Sequence, residues 1–235
     1  MKLAADLHIH SCVSPCGDMD MTPNNIVNMS LLKGLEAIAV CDHNSARNLA
    51  ACEKVASAAG LLLLPGIEAE SREEVHVLCY FPTVEAAEAM GEILYDHLPE
   101  VWNVPKFFGA QIVMNEEDEP VDTVDKLLVQ STTLSIDQIV AHCRRLGGVP
   151  VPAHINRPAN SLLACLGFVP EQLGFCSMEV YTHLAAPRLD LSRYHVLHSS
   201  DAHRLDAILE RQQFVTALGP GPEGILSYLA YQKTY

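Results

Sequence analysis

The sequence predicts an α/β fold in which about seven strand–helix units form a closed or nearly closed, TIM-like barrel. Short apolar runs alternate with helical patterns along the 235 residues. These runs are mostly apolar, with polar residues concentrated toward their ends, which favours buried strands. Repeated strand–helix alternation favours a parallel sheet with right-handed crossovers, and about seven buried strands favour a barrel over an open sheet. Hydrophobic residues make up 49% of the chain, enough for a sizeable core.

The first half of the chain contains four predicted strands and three predicted helices. The strands are LAADLHIH (3–10), EAIAVCDH (36–43), LLLLPGIEAE (61–70) and EEVHVLCYF (73–81). Thr22 is the expected N-cap of the first helix, which starts at Pro23 and ends at Gly34. A second, alanine-rich helix is predicted over Ser45–Ala59, closed by Gly60, and a third starts after Thr83.

The second half begins with a segment that interrupts this alternation. Residues 99–134 predict a short β-hairpin with an acidic tip, inserted into the barrel. Ser135 is the expected cap of the next helix, which ends at Gly147-Gly148. Four further strands are predicted in GGVPVPAH, FCSMEVYTH, YHVLHSSDAH and RQQFVTAL. There is no internal repeat or linker, so residues 1–235 are expected to form a single domain.

The charge balance restricts the class of partner. The chain has 29 acidic against 15 basic residues, a formal net charge of -14. Binding of long nucleic acid depends on many Lys and Arg contacts to phosphate and is therefore not expected. Neither a secretory signal nor an apolar run long enough to span a membrane is recognised, which makes the cytoplasm the expected location.

Eight cysteines are spread along the chain, and most lie in apolar settings where a thiol behaves as a small hydrophobic group. Cys12 and Cys16 stand close together in the segment that follows the first strand. A redox or iron–sulfur role for this pair is an alternative, but a cluster needs about four thiolates in a tight pattern.

The informative pattern is the polar side chains at the ends of the predicted strands. They are Asp6, His8, His10, Asp42, His43, Glu68, His76, His154, Asp201 and His203. In a parallel barrel, the carboxyl ends of the strands meet at one rim, where such folds carry their chemistry. Mixed imidazole and carboxylate ligands suit Zn²⁺, Mn²⁺ or Fe²⁺, and their number predicts two or three divalent metal ions.

Four motifs resemble those of the PHP (polymerase and histidinol phosphatase) family: DLHIHS, CDHN, AHINRP and SSDAHRL. The Glu of PGIEAE and the His of EEVHVLCYF also stand where that family has metal ligands. The resemblance covers residues 3 to about 215. It implies a distorted (β/α)7 barrel, the PHP fold, whose trinuclear centre hydrolyses phosphoesters with a metal-bridging hydroxide.

The resemblance also assigns ligands to three ions. The first would be held by His8, His10, Glu68 and Asp201; the second by Glu68, His76 and His154; the third by His43, His203 and a residue of the loop SCVSPCGDMDMTP. This loop departs from the family pattern. Counting back from Thr22-Pro23, Asp18 is the expected loop ligand, and Asp20 and Cys16 are alternatives.

Four further residues are predicted to assist catalysis. Asp6 and Asp42 are expected to orient ligand imidazoles from behind. Arg157 and Arg204 are expected to bind a phosphate group, although surface ion pairs explain either arginine equally well. Pocket-lining roles are expected for Asn44, Asn160 and Ser161.

The expected function is hydrolysis of a small phosphorylated metabolite by a metal-dependent phosphatase. One alternative is a 5′–3′ exonuclease or phosphodiesterase acting on short oligonucleotides or nucleotides. Another is a non-catalytic metal-binding domain, which the nearly complete set of ligands disfavours.

Overall fold

The computed structural model describes residues 1–232, which form eleven strands and seven α-helices. The strands are β1 (Lys2–Ile9), β2 (Ala37–His43), β3 (Leu62–Leu63), β4 (Gly66–Glu70), β5 (His76–Tyr80), β6 (Ile112–Met114), β7 (Pro120–Thr123), β8 (Val149–Pro152), β9 (Ser177–Tyr181), β10 (His195–Ser199) and β11 (Phe214–Thr216). The helices are α1 (Pro23–Leu32), α2 (Leu49–Ala59), α3 (Val84–Asp96), α4 (Pro105–Phe108), α5 (Ile136–Arg145), α6 (Leu162–Leu166) and α7 (Gly221–Ala230).

The main sheet has seven strands, in the order β11-β1-β2-β4-β5-β8, with the short β3 also paired to β2. β1, β2 and β4 are parallel, but β5 runs antiparallel to both of its neighbours and β11 runs antiparallel to β1. The prediction of a fully parallel sheet is therefore wrong for these strands. Only residues 71–75 join β4 to β5, too few for the dozen or so residues of a parallel crossover.

The separate parallel pair β9-β10 lies between β8 and β1 and curls the sheet toward closure. The joins are made at one end of the strands. The Ile155 amide donates to the Glu179 carbonyl (2.9 Å), and the His10 amide donates to the Ala202 carbonyl (2.8 Å). The α/β, barrel-like architecture is thus confirmed, whereas a regular repeat of seven units is not seen in residues 1–232.

Most helix ends follow the capping signals. Thr22 and Thr83 accept hydrogen bonds at the starts of α1 and α3, and Ser135 forms a capping box with Gln138 at α5. The predicted start of α2 at Ser45 is wrong, because the helix begins only at Leu49. The side chain of the preceding Asn48 instead connects the loop after β1 to β6. It donates to the Ser11 hydroxyl (2.9 Å) and accepts from the Met114 amide (2.9 Å).

The predicted hairpin is present as β6-β7, and its segment supports the loop after β1. The Ile112 amide donates to the Cys12 carbonyl at 3.0 Å. Gly109, at φ 99°, approaches Pro15 so closely that a Cβ there would lie 1.9 Å from the Pro15 carbonyl oxygen. No side chain fits at this position, so the insertion and the loop are packed backbone to backbone.

Buried apolar side chains of different sizes fill the barrel below its polar end. Leu7, Cys41, Leu78, Tyr80 and Val151 are among those buried there, and the Tyr80 hydroxyl donates to the Leu7 carbonyl (2.7 Å). Among the helices of residues 1–232, none is both long enough and apolar enough to cross a bilayer.

Gly66 provides a test of this packing. A Cβ at this position would lie 2.5 Å from the Cys41 sulfur and 3.3 Å from the Tyr80 ring. We expect Gly66→Ala to lower the free energy of unfolding in urea by about 1–3 kcal/mol, because the filled core must shift. Gly219→Ala is the control, since its Cβ would meet only Gly224 at 3.9 Å. Equal stability of the two variants would contradict this account of the core.

Candidate metal centre

Eight predicted ligands converge at the end of the barrel where β9-β10 joins its neighbours. They are His8 and His10 of β1, His43 ending β2, Glu68 of β4, His76 starting β5, His154 following β8, and Asp201 and His203 following β10. Seven of the eight are buried, whereas the His203 side chain is 28% exposed. The side chains that the strand-end pattern selected therefore lie together in the structure.

Four of these residues, His8, His10, Glu68 and Asp201, form one tight group. Their distances are 3.1 Å between the Nε2 atoms of the two histidines, 3.5 and 3.1 Å from those atoms to Asp201 Oδ1, and 3.5 and 3.4 Å to Glu68 Oε2. Tetrahedral ligands at about 2.0–2.2 Å from one ion lie about 3.2–3.6 Å from each other. These five distances are close to those between ligands of one tetrahedral metal ion, and all four donor atoms lie within 4.8 Å of one another.

Glu68 belongs to two groups at once. Its Oε1 lies 2.7 Å from His76 Nδ1 and 2.9 Å from His154 Nε2. Its Oε2 lies 3.0 Å from His43 Nδ1 and also takes part in the tight group. One carboxylate can therefore bridge two ions, each of its oxygens facing a different set of imidazoles.

A third group contains only imidazoles. One ring nitrogen from each of His10, His43 and His203 lies within 4.8 Å of the others. Neither a carboxylate nor a thiolate belongs to this group in the described part of the chain.

The partners behind the ligands fix which ring nitrogen faces the centre. His8 Nδ1 lies 3.0 Å from Glu179 Oε1, and His203 Nδ1 lies 2.8 Å from the Asp201 carbonyl. A carboxylate and a carbonyl only accept, so each Nδ1 carries the proton and each Nε2 is free to bind a metal.

Glu179 is a site residue that was not predicted from the sequence. It is buried on β9, accepts from the His154 amide (2.8 Å) and so connects two ligand-bearing strands. The only available signal was a carboxylate inside an otherwise apolar strand run. Glu70, also missed, lies 3.4 Å from His76 Nε2 and is held by the Ser131 hydroxyl at 2.8 Å.

Asp42 is connected to the His10 imidazole through the hydroxyl of Ser14. It accepts from the Ser14 hydroxyl at 2.6 Å, and Ser14 lies 3.1 Å from His10 Nδ1. Because the serine proton goes to Asp42, the His10 Nδ1–H donates to the serine oxygen, leaving Nε2 free. Asp42 thus reaches a predicted ligand imidazole only through Ser14.

Asp6 does not contact a ligand imidazole, contrary to prediction. Its carboxylate accepts from the Ser200 hydroxyl (2.6 Å) and from the amides of Ser200 (3.1 Å) and Leu209 (3.0 Å). Asp6 thus fixes the backbone immediately before Asp201. Burial raises its pKa, against the effect of these hydrogen bonds.

Several buried atoms in the centre have no hydrogen-bond partner. They are His43 Nδ1, Glu68 Oε2 and His154 Nδ1. His43 Nδ1 and Glu68 Oε2 are close, yet their orientation is wrong for a hydrogen bond. Leaving such groups unsatisfied costs about 1–3 kcal/mol each. A bound cation would satisfy the facing lone pairs of His43 Nδ1 and Glu68 Oε2 directly, although not His154 Nδ1, because His154 faces Glu68 through Nε2. The donor set thus fits divalent metal ions.

Mutual electrostatics dominate the titration of the centre. Burial lowers the pKa of His8, but the carboxylates of Glu179, Glu68 and Asp201 outweigh it and raise that pKa well above its usual value. Against the effect of its burial, neighbouring Glu68 likewise raises the pKa of His76 to about 10. His203 behaves oppositely, because burial and the neighbouring His10 lower its pKa to about 3.

The carboxylates shift in the complementary direction. Burial raises the pKa of Glu68, but His76, His8 and His43 outweigh this and hold it well below its usual value. The pKa of Asp201 is also lowered, because His8 and His10 outweigh its burial. Without metal, several histidines of the centre therefore hold protons, and a metal ion must displace these protons to bind.

Backbone strain is concentrated at the centre. Within residues 1–232, six non-glycine residues have positive φ, and four of them are Asn44 (48°), His154 (27°), Asn160 (55°) and Asp201 (51°). Such conformations are costly and persist where the surrounding structure enforces them. Here they turn ligands toward the cavity at the strand ends.

A cavity of about 640 Å³ opens over the centre. Arg157 lines it, forms an ion pair with Asp201 and lies 5.2 Å from the centroid of the Tyr181 ring. Arg204 does not line it and instead pairs with exposed Asp206 at 2.9 Å, the surface alternative. Of the expected pocket residues, Asn160 lines the cavity. Asn44 instead binds the Glu70 amide, and Ser161 caps α6.

The structure does not bring the expected loop ligand into the centre. Asp18 and Asp20 are exposed and line no part of the cavity, whereas Cys16 does line it. Cys12 is buried, and burial raises the pKa of its thiol to about 12. This environment does not favour a redox pair of Cys12 and Cys16.

Comparison with solved structures identifies the fold. The lesion-specific endonuclease PfuEndoQ of Pyrococcus furiosus aligns with 98% of this chain at a TM-score of 0.71 and 20% identity. An Endonuclease Q complex with a 27-mer duplex containing an abasic lesion aligns with 97% at 0.69 and 20% identity. This chain spans 56% of the length of each of those chains.

A third similar structure is a two-domain protein of Bacteroides vulgatus described as containing a predicted PHP-like metal-dependent phosphoesterase. It aligns with 98% of this chain and 63% of its own, at a TM-score of 0.59 and 18% identity. No protein-family model matches the sequence, and a search of curated proteins finds no match. The PHP resemblance of the motifs is therefore confirmed at the level of the fold.

The titration of the centre predicts how stability depends on pH without metal. The raised pKa values of His8 and His76 stabilise the fold fully below the ordinary value of 6.5, and this contribution disappears as pH rises toward about 10. The lowered pKa values of Glu68 and Asp201 stabilise the fold above their ordinary values of 4.5 and 3.8. We expect the Tm of chelator-treated protein to fall from pH 6.5 to 10.

Metal-loaded protein is the control for this measurement. Metal competes with protons for the same nitrogens, so the stabilisation by added Zn²⁺ is expected to grow over the same pH range. A metal-free Tm that is constant or rises between pH 6.5 and 10 would contradict the assigned charge states.

Proposed function

We propose that this protein is a metal-dependent phosphoesterase that acts on a small phosphorylated substrate. The observation that carries the proposal is the close spacing of the His8, His10, Glu68 and Asp201 donor atoms beneath an open cavity. The fold shared with PHP-like phosphoesterases supports it.

The grouping of the donor atoms supports positions for two or three ions. His8, His10, Glu68 and Asp201 would hold the first, and Glu68, His76 and His154 the second, with a third near His43 and His203. Bound divalent ions supply an activated water at neutral pH and neutralise the charge on phosphate oxygens.

The protein's own side chains would orient the metal ligands and bind the phosphate group of the substrate. Glu179 and Ser14 hold the imidazoles of His8 and His10 with Nε2 toward the centre. Arg157 is the arginine of the cavity wall, and its guanidinium pairs with the outer oxygen of Asp201. From that position it can exchange part of this pairing for a phosphate oxygen, the bidentate geometry that arginine favours.

Cleavage of short oligonucleotides is the second candidate. The similarity to Endonuclease Q favours it, since one of those structures holds a DNA duplex. This chain spans 56% of that protein, and its net charge of -14 opposes extended contact with a polyanion. The end of a short oligonucleotide that enters the cavity needs few phosphate contacts, so the net charge does not oppose it. Its hydrolysis would use the same metal chemistry as hydrolysis of a small phosphorylated substrate.

Hydrolysis and metal content together test the proposal. We expect protein loaded with Mn²⁺, Zn²⁺ or Fe²⁺ to hydrolyse p-nitrophenyl phosphate, and His10→Ala and Asp201→Asn to abolish turnover and lower metal content. A panel of phosphorylated metabolites and short oligonucleotides then separates the two substrate classes. Because His97 lies away from the centre on the C-terminal end of α3, His97→Ala is the control.

A folded, metal-loaded protein that hydrolyses none of these substrates would reject the enzyme proposal and support a non-catalytic metal-binding domain. Near-normal turnover in both ligand variants would reject the assigned centre instead.

The two arginines form a matched pair for phosphate recognition. Loss of a hydrogen bond to a charged group costs about 1.5–3 kcal/mol, so Arg157→Ala should lower kcat/KM roughly 10- to 150-fold. Arg204→Ala should leave it unchanged, since Arg204 pairs with Asp206 outside the cavity. Metal content, measured alongside, should stay at the wild-type level in both variants. Equal effects of the two substitutions would contradict the role of Arg157.

A further inference from the structure

We propose that the Cys16 thiolate is the loop ligand of the third metal subsite, beside His43 and His203. This inference rests on the proposed function, because it concerns the same centre. It assigns a sulfur donor to a subsite that otherwise has only nitrogen donors.

The fold of the loop is the first step. Successive turns are closed by the Ser14 amide on the Ser11 carbonyl (3.1 Å) and the Gly17 amide on the Ser14 carbonyl (2.9 Å). The Asp18 amide then donates to the carbonyl of His203 itself (2.9 Å). The backbone of the loop is therefore fastened directly to a residue of the third group.

Close packing leaves this loop little freedom. A Cβ on Gly17 would lie 2.6 Å from the Ser11 carbonyl oxygen, and Pro15 is covered by the backbone of Gly109. Cys16 is exposed, stands between these two fixed positions and lines the cavity over the centre. The same fixed backbone directs the Asp18 and Asp20 side chains to solvent.

The donor set of the subsite is the second step. His43 is about nine-tenths buried, with 9% of its side chain exposed, and its Nδ1 has no hydrogen-bond partner. His43 and His203 line the same cavity as Cys16. Imidazoles alone leave the charge of a divalent ion uncompensated here, and an anionic sulfur supplies that compensation.

The chemistry of sulfur restricts the metal. On binding, the thiol releases its proton to solvent and the thiolate forms the bond to the ion. Thiolate ligands favour Zn²⁺, Fe²⁺ or Co²⁺, whereas Mn²⁺ and Mg²⁺ favour oxygen. The third subsite should therefore be more selective than the two that Glu68 bridges.

Protection from alkylation tests the assignment on the intact protein. Metal-free and Zn²⁺-loaded protein are treated with iodoacetamide, and each cysteine is quantified by peptide mass spectrometry. Bound metal should slow labelling of Cys16 by at least about tenfold, because the sulfur lone pair is engaged. Exposed Cys165, outside the centre, is the internal control and should react equally in both samples.

Two variants complete the test with readouts other than turnover. Cobalt-loaded wild type should show a near-ultraviolet thiolate-to-cobalt absorption band that Cys16→Ser loses together with about one equivalent of metal. Cys16→Asp should regain the metal without the band, and Cys165→Ser should behave as wild type.

Unchanged labelling of Cys16 in protein shown to hold two or more ions would overturn this inference and leave the proposed function standing. Absence of bound metal in the wild type would overturn both.

Discussion

The structure depends on one buried carboxylate. Glu68 is 1% exposed and lies among the rings of His8, His10, His43, His76 and His154. An ionised carboxylate in such a position is stable only when positive charge surrounds it. The alternating strand ends, the strained turns and the carboxylates behind the imidazoles all serve that requirement. Protons on the imidazoles meet it in the metal-free protein, and bound divalent ions would meet it better because they would also satisfy facing atoms that lack partners.

Much of the fold and most of the residues that lie together at the centre could be predicted from the sequence, because the signals involved are local or follow from the ends of strands. Capping residues such as Thr22, Thr83 and Ser135 act within one helical turn, so their effect can be predicted without tertiary contacts. Histidines and carboxylates at strand ends meet because strands of a barrel end at a common rim.

What the sequence could not supply depends on contacts between distant segments. Glu179 appeared to be one more residue of a strand, and only the approach of β9 to β1 makes it the partner of His8. Spacing from Thr22-Pro23 selected Asp18, but the path of the loop is set by Gly109 and by the His203 carbonyl. The antiparallel direction of β5 likewise follows from a short connection whose hairpin nature the apolar pattern does not reveal.

The three groups of ligands differ in how far apart their members lie along the chain. Glu68 and His76 are eight residues apart on one hairpin, whereas His10 and Asp201 are 191 residues apart. An ion held by the group that contains His10 and Asp201 would therefore cross-link the first strand of the barrel to the segment after β10, where β10 meets β1. Closing a chain segment of this length costs conformational entropy. The free energy of metal coordination would offset that cost, much as a disulfide between distant residues does. A metal ion bound by these ligands would therefore also hold the two ends of the barrel together and contribute to the stability of the fold.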